Sequence, residues 1–310
     1  MRYRPFGQTG IELSTVSMGC NRLGDPGVDP AQWPPIVRRA VELGVNFFDT
    51  SGSYNQGRSE AVLGDALSAT STPTYVATKV GVPIETNDFA NREFSAATML
   101  RDVEGQLRRL RREAIDLYML HSPSVQQLQT HDWLEGFTKL KREGKIRWWG
   151  ISTHDHASGV EAVRQGAQVL QIEYDLLDPT AEDELLPAAQ AKNVGVMVRT
   201  PLARGLLTGK FPPGQPIPPD QQWRRPRGDQ LQLRLARVEQ LRFLERPGQT
   251  LGQAALRFVL AHPGVHCGVP GARTVDQLEA NVPAADADLT PDELVRIRAL
   301  HAQWRAEGRW

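Results

Sequence analysis

The sequence has only two cysteines and contains no long apolar run. Cys20 and Cys267 lie far apart, so the sequence predicts neither a disulfide framework nor a cysteine-based metal site. A membrane-spanning helix needs about 18 or more apolar residues in succession, and no such run is present. The opening MRYRPFGQTG also lacks the apolar core of a secretory signal. From these absences we expect a soluble protein of the reducing cytoplasm.

The sequence has no excess of charge of either sign. Its 36 basic and 36 acidic residues give a net charge of zero, which argues against a basic nucleic-acid arm, an acidic tail or a membrane-surface role. Its 27 glycines and 22 prolines among 310 residues are too few for a low-complexity chain. We therefore expect a globular protein that binds neither nucleic acid nor membrane.

Short apolar runs alternate with amphipathic segments about eight times along the chain. Alternating strands and helices predict a parallel sheet, and eight such units favour a closed (β/α)8 TIM barrel over an open sheet. No linker interrupts the series, so we expect residues 1–310 to form a single domain. The predicted strands are Leu13–Gly19, Val45–Thr50, Thr74–Lys79, Ile115–His121, Ile146–Ser152, Val169–Tyr174, Gly195–Thr200 and Val265–Val269.

Further segments lie outside this repeat. The proline-rich residues 211–230 follow the predicted seventh strand, and their prolines argue against a helix. This segment is either a solvated excursion or a lid over the barrel mouth. A capping-box pattern predicts an extra C-terminal helix over Thr290–Trp304, and Leu231–Phe243 predicts another extra helix. The helices predicted within the repeat are Ala31–Leu43, Ser59–Leu67 (with Ser59 as its N-cap), Ser95–Leu110, Trp133–Lys141, Glu161–Arg164, Glu182–Ala191 and Leu251–Ala261.

Reactive side chains end consecutive predicted strands. Asp49 ends the second strand, Lys79 the third and His121 the fourth, while Tyr54 lies in the loop after Asp49. Each has a structural explanation when taken alone: a turn former, a surface lysine, a structural histidine or loop packing. Chemistry in a barrel of this kind takes place at the carboxyl ends of the strands. Together the four residues therefore predict a catalytic site.

Seven segments of the chain carry a wider set of motifs. They are VNFFDTSGSYNQGRSEAVLGDAL, ATKVG, LRRLRREAIDLYMLHSPS, LKREGKIRWWGIS, VLQIEYDLLD, GVMVRTPLARGLLTGKF and VPGARTVDQLEANVPAAD. In order and spacing these segments resemble the aldo-keto reductases, of the bacterial NADP-dependent type, over nearly the whole chain. The resemblance places the family's four catalytic positions on Asp49, Tyr54, Lys79 and His121.

The resemblance implies NADPH-dependent reduction of aldehydes or ketones to alcohols. Hydride addition to a carbonyl creates negative charge on its oxygen, which needs a proton donor. A phenol is a poor acid at neutral pH, and a neighbouring cation helps it by stabilising the phenolate. The resemblance gives these roles to Tyr54 as the acid and Lys79 as the cation. Asp49 would hold Lys79 by an ion pair, and His121 would orient the substrate oxygen and share proton transfer.

A hydride donor must be a cofactor, because no side chain can supply a hydride. The segment STVSMGCNRLG lacks the Gly-x-Gly-x-x-Gly pattern of a Rossmann site. The resemblance implies instead NADP(H) extended across the barrel mouth, with Ser152 and Gln171 at carboxamide-binding positions. Thr153 stands where many members have Asn. Arg199 stands where many have a stacked aromatic ring; its planar guanidinium can stack too, and its charge can alter cofactor affinity or redox balance.

The outer half of the expected cofactor site lies in GARTVDQLEAN. Arg273, Gln277 and Asn281 fall on the family's binding positions, and Gly271 lets the backbone approach a phosphate closely. We expect Arg273 to bind the 2′-phosphate of NADP rather than to be a solvated loop arginine. Cys20 is either a cofactor neighbour or only a small buried residue. The remaining expected cofactor contacts are Cys20, Asn21, Leu202, Arg204, Gly205 and Leu207.

The substrate pocket is less well specified by the sequence. Trp148 and Trp149 are consecutive on a predicted strand, so one points into the barrel and the other toward the helices. Trp149 is a candidate substrate contact, as is Trp223 in the proline-rich segment, although tryptophans more often serve packing. The physiological substrate, the direction of the reaction and the oligomeric state are left open.

Three other functions compete with carbonyl reduction. The first is an NAD(P)-dependent sugar dehydrogenase, because the same site works in both directions. The second is a cofactor-binding subunit of a membrane channel, as some relatives are, but no appended interaction segment is evident. The third, a metal-dependent hydrolase, needs clusters of ligands; His154 and His156 have no partners at other strand ends, and we expect no metal site.

Overall fold

A β-hairpin opens the chain. In the computed structural model, residues 1–218, 222 and 225–308 are described. β1 (Tyr3–Pro5) pairs antiparallel with β2 (Glu12–Ser14). Phe6 between them is fully buried and packs against Gly195, where a Cβ atom would lie 2.8 Å from its ring. The hairpin therefore closes the end of the sheet at which the parallel strands begin.

Eight parallel strands form one continuous sheet in chain order. Their order is β3 to β10, and parallel bridges from Val16 to Gly268 and from Gly19 to Gly271 join the first to the last. The predicted (β/α)8 barrel is confirmed. The strands are β3 (Met18–Gly19), β4 (Phe47–Asp49), β5 (Tyr75–Val80), β6 (Ile115–His121), β7 (Ile146–Ser152), β8 (Val169–Glu173), β9 (Gly195–Arg199) and β10 (Cys267–Val269).

Amphipathic helices connect the strands and cover the outside of the sheet. Most begin at a side chain that accepts a hydrogen bond from the first turn, as Ser95 does from Thr98 N and Thr250 from Gln253 N. The helices are α1 (Trp33–Glu42), α2 (Arg58–Ser68), α3 (Ala96–Leu110), α4 (Val125–Thr130), α5 (Trp133–Arg142), α6 (His156–Arg164), α7 (Leu185–Ala191), α8 (Gly228–Gln240), α9 (Leu251–Ala261), α10 (Val275–Asn281) and α11 (Pro291–Ala306).

The core has an inner and an outer layer. The inner layer fills the barrel with apolar side chains from the strands and the hairpin, while the outer layer lies between sheet and helices. Successive side chains of a strand point to opposite faces, which places the two layers on either side of the sheet. The inner layer contains Phe6, Ile11, Leu13, Phe47, Ala77, Leu117, Met119, Val169, Met197, Cys267 and Val269.

Two local predictions are wrong. The expected strand Leu13–Gly19 is split, because its first part pairs in the antiparallel hairpin as β2 and only Met18–Gly19 joins the barrel. Ser59 is not the N-cap of α2, which begins at Arg58 after Gly57. The Ser59 hydroxyl instead donates to the carbonyl of Cys20 at 2.7 Å, so it ties α2 to the end of β3.

The segments outside the repeat agree in outline with the sequence. α11 begins with the predicted capping box, in which Thr290 and Glu293 each accept from the other's backbone N–H. The described residues between 211 and 227 contain no helix, and α8 begins at Gly228. Trp223 lies outside the described residues. Within the described part of the chain, no helix has the length and apolarity that a membrane crossing requires.

Candidate active site

A buried lysine joins the ends of β4 and β5. Lys79 is 1% exposed, and its Nζ donates to both carboxylate oxygens of Asp49 at 2.8 and 2.9 Å and to the carbonyl of Thr50 at 2.7 Å. It also donates to Tyr54 Oη at 3.3 Å. Burying an ammonium costs free energy unless its protons are bonded, and these contacts supply the partners. The structure therefore brings three of the predicted residues into one hydrogen-bonded group.

Tyr54 is held by a strained loop. It begins the short 3₁₀ helix Tyr54–Gly57, in which Asn55 and Gln56 have left-handed φ values of 50° and 58°. The Asn55 side chain donates to the carbonyl of Leu23 at 2.7 Å, which fastens this loop to the segment after β3. Left-handed backbone in non-glycine residues costs free energy and persists where contacts enforce it. The loop thus fixes the phenol over Lys79.

His121 ends β6 beside this group. It is 1% exposed, and its Nδ1 lies 3.2 Å from the hydroxyl of Ser51. The imidazole meets the ring of Tyr54 edge to face at 5.7 Å between centroids and that of Phe89 at 4.9 Å. All four residues predicted to be catalytic therefore meet at the carboxyl ends of neighbouring strands.

A second buried ion pair, which the sequence analysis missed, supports these strand ends. Glu60 is fully buried, accepts from Arg109 Nε at 2.8 Å and from Thr78 at 2.5 Å, and touches Gln106 at 3.1 Å. Burial raises the pKa of Glu60, and Arg109 opposes that rise. Gln106 also donates to the carbonyl of Lys79 at 2.9 Å. The network fixes the backbone that carries Lys79.

A cavity of about 490 Å³ opens at the same end of the barrel. Asp49 and Tyr54 line it, together with most of the residues expected to bind a cofactor. Those lining residues are Asn21, Gln171, Arg199, Leu202, Arg204, Gly205, Gly271, Arg273, Gln277 and Asn281. Four other expected contacts, Cys20, Ser152, Thr153 and Leu207, are buried and are not among the described residues that line the cavity.

Ser152 and Gln171 form a buried pair at the cavity wall. Ser152 Oγ donates to Gln171 Oε1 at 2.9 Å, and Gln171 is 1% exposed. Its Nε2 has no hydrogen-bond partner among the described residues. A buried amide donor without an acceptor is costly, so this atom is suited to a ligand oxygen. Thr153 is engaged elsewhere, because its hydroxyl donates to the carbonyl of Asp155 at 2.8 Å.

Several cations line the cavity. Arg22, Arg204, Lys210, Arg225 and Arg273 all line it. Burial and then the charge of Arg273 lower the pKa values of Arg22 and Arg225. Mutually repelling cations in a partly buried wall are stabilised by a bound anion. The contribution of Arg225 was not predicted, since it lies in a segment without regular structure.

Arg199 is held by a cluster that the sequence analysis also missed. Its Nη1 lies 3.1 Å from Nε2 of His154, whose Nδ1 lies 3.0 Å from Oε1 of Glu173. Arg204 Nη2 donates to the same glutamate oxygen at 3.0 Å. Burial disfavours the Glu173 carboxylate, but the hydrogen bond from His154 and the charges of Arg199 and Arg204 outweigh it and lower the pKa to about 2. Glu173 is therefore ionised at neutral pH.

Some residues considered as substrate or cofactor contacts pack in the interior of the protein instead. Trp149 does not line the cavity; its indole stacks on Phe137 at 5.1 Å and meets Trp133 at 5.4 Å in the outer layer. Trp148 packs against the inner layer. Cys20 is buried, and burial raises the pKa of its thiol. Among the described residues, no group of three His, Cys, Asp or Glu side chains could hold a metal ion.

Comparisons with known proteins give one family. The model of the aldo/keto reductase family matches residues 15–302. The holo form of an aldo-keto reductase from Bacillus halodurans is 33% identical, with a TM-score of 0.81, over 97% of this chain and 96% of that one. Glycerol dehydrogenase from Gluconobacter oxydans is 27% identical, with a TM-score of 0.81, over 97% and 95%. L-galactose dehydrogenase from Arabidopsis thaliana is 31% identical over 91% of this chain and 87% of its own length.

Proposed function

The chain belongs to the aldo/keto reductase family, and we propose that it reduces aldehydes or ketones to alcohols with NADP(H) as cofactor and Tyr54 as general acid. The family resemblance of the sequence is thereby confirmed, and it supports an oxidoreductase in general terms. The cofactor, the acid and the substrate class are what we propose beyond this. They rest on the geometry at the carboxyl ends of the strands.

The contact between Lys79 and Tyr54 is the observation that carries the proposal. A carbonyl that accepts a hydride gains negative charge on its oxygen, and Tyr54 Oη at the cavity wall is positioned to donate a proton there. Lys79 Nζ, 3.3 Å from that oxygen, stabilises the phenolate that remains. Asp49 holds the ammonium in place through both carboxylate oxygens. His121, whose ring edge meets Tyr54, orients the carbonyl oxygen.

The cavity suits a nicotinamide dinucleotide. Gln171 lines the same cavity as Tyr54, and its Nε2, which has no hydrogen-bond partner among the described residues, is a donor for a carboxamide oxygen. The cations that line the cavity match phosphate groups, which carry negative charge at neutral pH. When bound, this cofactor supplies the hydride.

Arg273 is the proposed determinant of NADP over NAD. It is exposed at the edge of the cavity, and its backbone N–H donates to Gln277 Oε1 at 2.8 Å. A guanidinium binds a phosphate through two parallel hydrogen bonds, whereas a ribose hydroxyl offers it little charge to bind. Arg22 adds positive charge nearby, as the influence of Arg273 on its pKa indicates.

Replacement of Tyr54 by phenylalanine tests the proposed acid. Positioned acid–base catalysis contributes roughly 10²–10⁴-fold. We expect Tyr54→Phe to lower kcat for an activated aromatic aldehyde by a factor in that range, because the variant has no proton to donate. The Kd for NADPH, measured by titration calorimetry, should stay nearly unchanged.

Tyr3→Phe is the matched control, because Tyr3 is exposed and its hydroxyl donates to the carbonyl of Gly44, which follows α1. This control should keep the kcat of the wild type. Unchanged turnover in Tyr54→Phe would remove Tyr54 from the mechanism.

Oxidation of a sugar or another polyol is the second candidate function. It is favoured by the similarity to proteins named glycerol dehydrogenase and L-galactose dehydrogenase. The same group can serve it, because a phenolate held by Lys79 can accept the proton that Tyr54 donates in reduction. Initial rates with glycerol and NADP⁺, compared with an aldehyde and NADPH, separate the two candidates.

A further inference from the structure

Arg199 stands at the inner end of the cavity, on the same side of the sheet as the barrel core. Side chains two apart on a strand share a face, and Met197 belongs to the inner layer, so Arg199 extends above it. On β8, Glu173 likewise stands above Gln171, and Glu173 is paired in register with Arg199. Arg199, Gln171 and Tyr54 all line the cavity. Arg199 therefore shares the cavity wall with the residues proposed to contact the nicotinamide and the carbonyl.

The other lining arginines have different neighbours. The charge of Arg273 acts on both Arg22 and Arg225, and the charge of Arg204 acts on Arg225. Arg199 is anchored differently, because its Nη1 meets Nε2 of His154 at 3.1 Å. Arg22, Arg225 and Arg273 thus form a group suited to phosphates, while Arg199 and Arg204 share the carboxylate of Glu173.

The anchor leaves a net positive charge beside the reacting end. Nε2 of His154 lies 3.1 Å from Arg199 Nη1, and Nδ1 of the same ring lies 3.0 Å from Glu173 Oε1. One carboxylate, Glu173, then faces two guanidinium groups, those of Arg199 and Arg204. The pair of Lys79 and Asp49 adds no net charge.

We propose that Arg199, held by His154 and Glu173, makes this protein bind the reduced cofactor more tightly than the oxidised cofactor. The inference rests on the proposed function and specifies its direction. The oxidised nicotinamide ring carries a positive charge, and the reduced ring is neutral. The phosphates are identical in both forms, so the cations that bind phosphates do not discriminate between the two forms. Only a charge at the nicotinamide end discriminates between them, since differential affinity requires a differential contact.

This preference favours reduction of the carbonyl substrate. A protein that binds the reduced cofactor tightly and the oxidised cofactor weakly contains mostly the reduced form before the reaction. After the reaction it releases the oxidised cofactor readily. At an effective dielectric constant of about 20, a unit charge a few ångströms away changes an affinity by roughly tenfold or more. The partial neutralisation of Arg199 by Glu173 brings the expected effect to about tenfold.

Titration calorimetry of NADPH and NADP⁺ tests the inference without measuring turnover. The quantity compared is the ratio of the Kd for NADP⁺ to the Kd for NADPH. We expect this ratio to exceed one in the wild type and to fall about tenfold in Arg199→Gln. In Glu173→Gln it should rise, because the positive charge of Arg199 is then less neutralised. Opposite shifts in the two variants are a signature that a purely structural role would not produce.

Arg164→Gln is the matched control, since Arg164 pairs with Glu161 on the outer helix α6. Its ratio should equal that of the wild type. The inference is overturned if NADPH and NADP⁺ both still bind but neither Arg199→Gln nor Glu173→Gln shifts the ratio. It is also overturned if both variants shift the ratio in the same direction. If the wild type binds neither form, the proposed function itself fails, and the inference fails with it. Should Arg199→Gln not fold, the sign of the change in Glu173→Gln decides the question.

Discussion

Lys79 shows how one side chain can connect the interior of the barrel with its chemistry. Its ammonium is almost fully buried, so its three protons must be bonded within the protein. Asp49, the carbonyl of Thr50 and Tyr54 Oη accept these bonds. Of these acceptors, Asp49 and Tyr54 line the cavity, and the phenol of Tyr54 is the one that has no formal charge. The charge of Lys79 is therefore directed at the proposed acid.

Arg273→Ala tests the proposed choice of cofactor at the scale of a residue. We expect the loss of the guanidinium to weaken the binding of NADPH by roughly tenfold or more, because a charge-assisted bidentate contact is lost. The Kd for NADH should change little, so the preference between the two cofactors should shrink. Titration of NADPH and of NADH into the wild type and into Arg273→Ala measures this preference. An unchanged preference would remove Arg273 from 2′-phosphate recognition.

Sequence reasoning found strand-end residues more readily than their partners. Asp49, Lys79 and His121 could be predicted because each ends an apolar run, and the carboxyl ends of barrel strands meet. Glu173 could not, because its contact with His154 and Arg204 depends on the register of neighbouring strands. Trp149 was predicted to contact the substrate, but it packs in the outer layer between sheet and helices. Strand alternation shows that two neighbouring residues face opposite sides of the sheet but not which of them faces the barrel interior.

At the scale of the element, the loop after β8 contains a buried acid that the proposed chemistry does not use. Asp175 is 6% exposed, and its Oδ1 accepts from the backbone N–H of Leu177 at 2.7 Å. Burial raises the pKa of this carboxyl from 3.8 to about 7, although the hydrogen bond to Leu177 opposes the rise. The folded protein therefore prefers the protonated form of Asp175.

The raised pKa makes this loop a source of pH dependence in stability. A carboxyl whose pKa is higher in the folded state contributes stability below its unfolded pKa, 3.8, and loses it as the pH rises through about 7. Asp175→Asn keeps an acceptor for Leu177 but does not titrate. Relative to the wild type, we expect the variant to gain about 1–3 kcal/mol of unfolding free energy between about pH 5 and about pH 8.

Urea unfolding of both proteins at the two pH values measures this gain. A difference between variant and wild type that is the same at both values would show that Asp175 does not titrate in this range.

Elements with a strong local pattern were predicted within a few residues. β6 and β7 have the predicted bounds, as does α9, because each is a continuous apolar or amphipathic run between clear end signals. The predicted strand Leu13–Gly19 is wrong because a turn between a hairpin strand and a barrel strand leaves the apolar composition unchanged. The predicted N-cap Ser59 is wrong because Gly57, with φ at 81°, already ends the preceding loop.

At the scale of the whole molecule, contacts between the N-terminal and C-terminal parts of the chain close the barrel. The β3 and β10 segments are joined by Ser17 N donating to Gly268 O at 2.9 Å and Gly268 N donating to Thr15 O at 2.8 Å. The N-terminal amine also pairs with Asp286 at 2.9 Å, near the end of the repeat. These contacts between residues far apart in sequence support our proposal that residues 1–310 fold as a single domain.

Cooperative unfolding tests the single-domain proposal. Because the first and last strands share one sheet, loss of either should open the whole barrel. We expect urea transitions followed by tryptophan fluorescence and by far-ultraviolet circular dichroism to have the same midpoint. Two separate midpoints would indicate independently folding parts.

The central claim is that the barrel mouth transfers a hydride from NADPH to a carbonyl carbon. The most direct test uses NADPH deuterated at both positions of its hydride-donating carbon, with an aromatic aldehyde as substrate. Our account predicts an alcohol that carries one deuterium on its carbinol carbon, detected by mass spectrometry, and little of it with Tyr54→Phe. Alcohol formed without deuterium, or deuterated alcohol formed equally fast by Tyr54→Phe, would contradict the account.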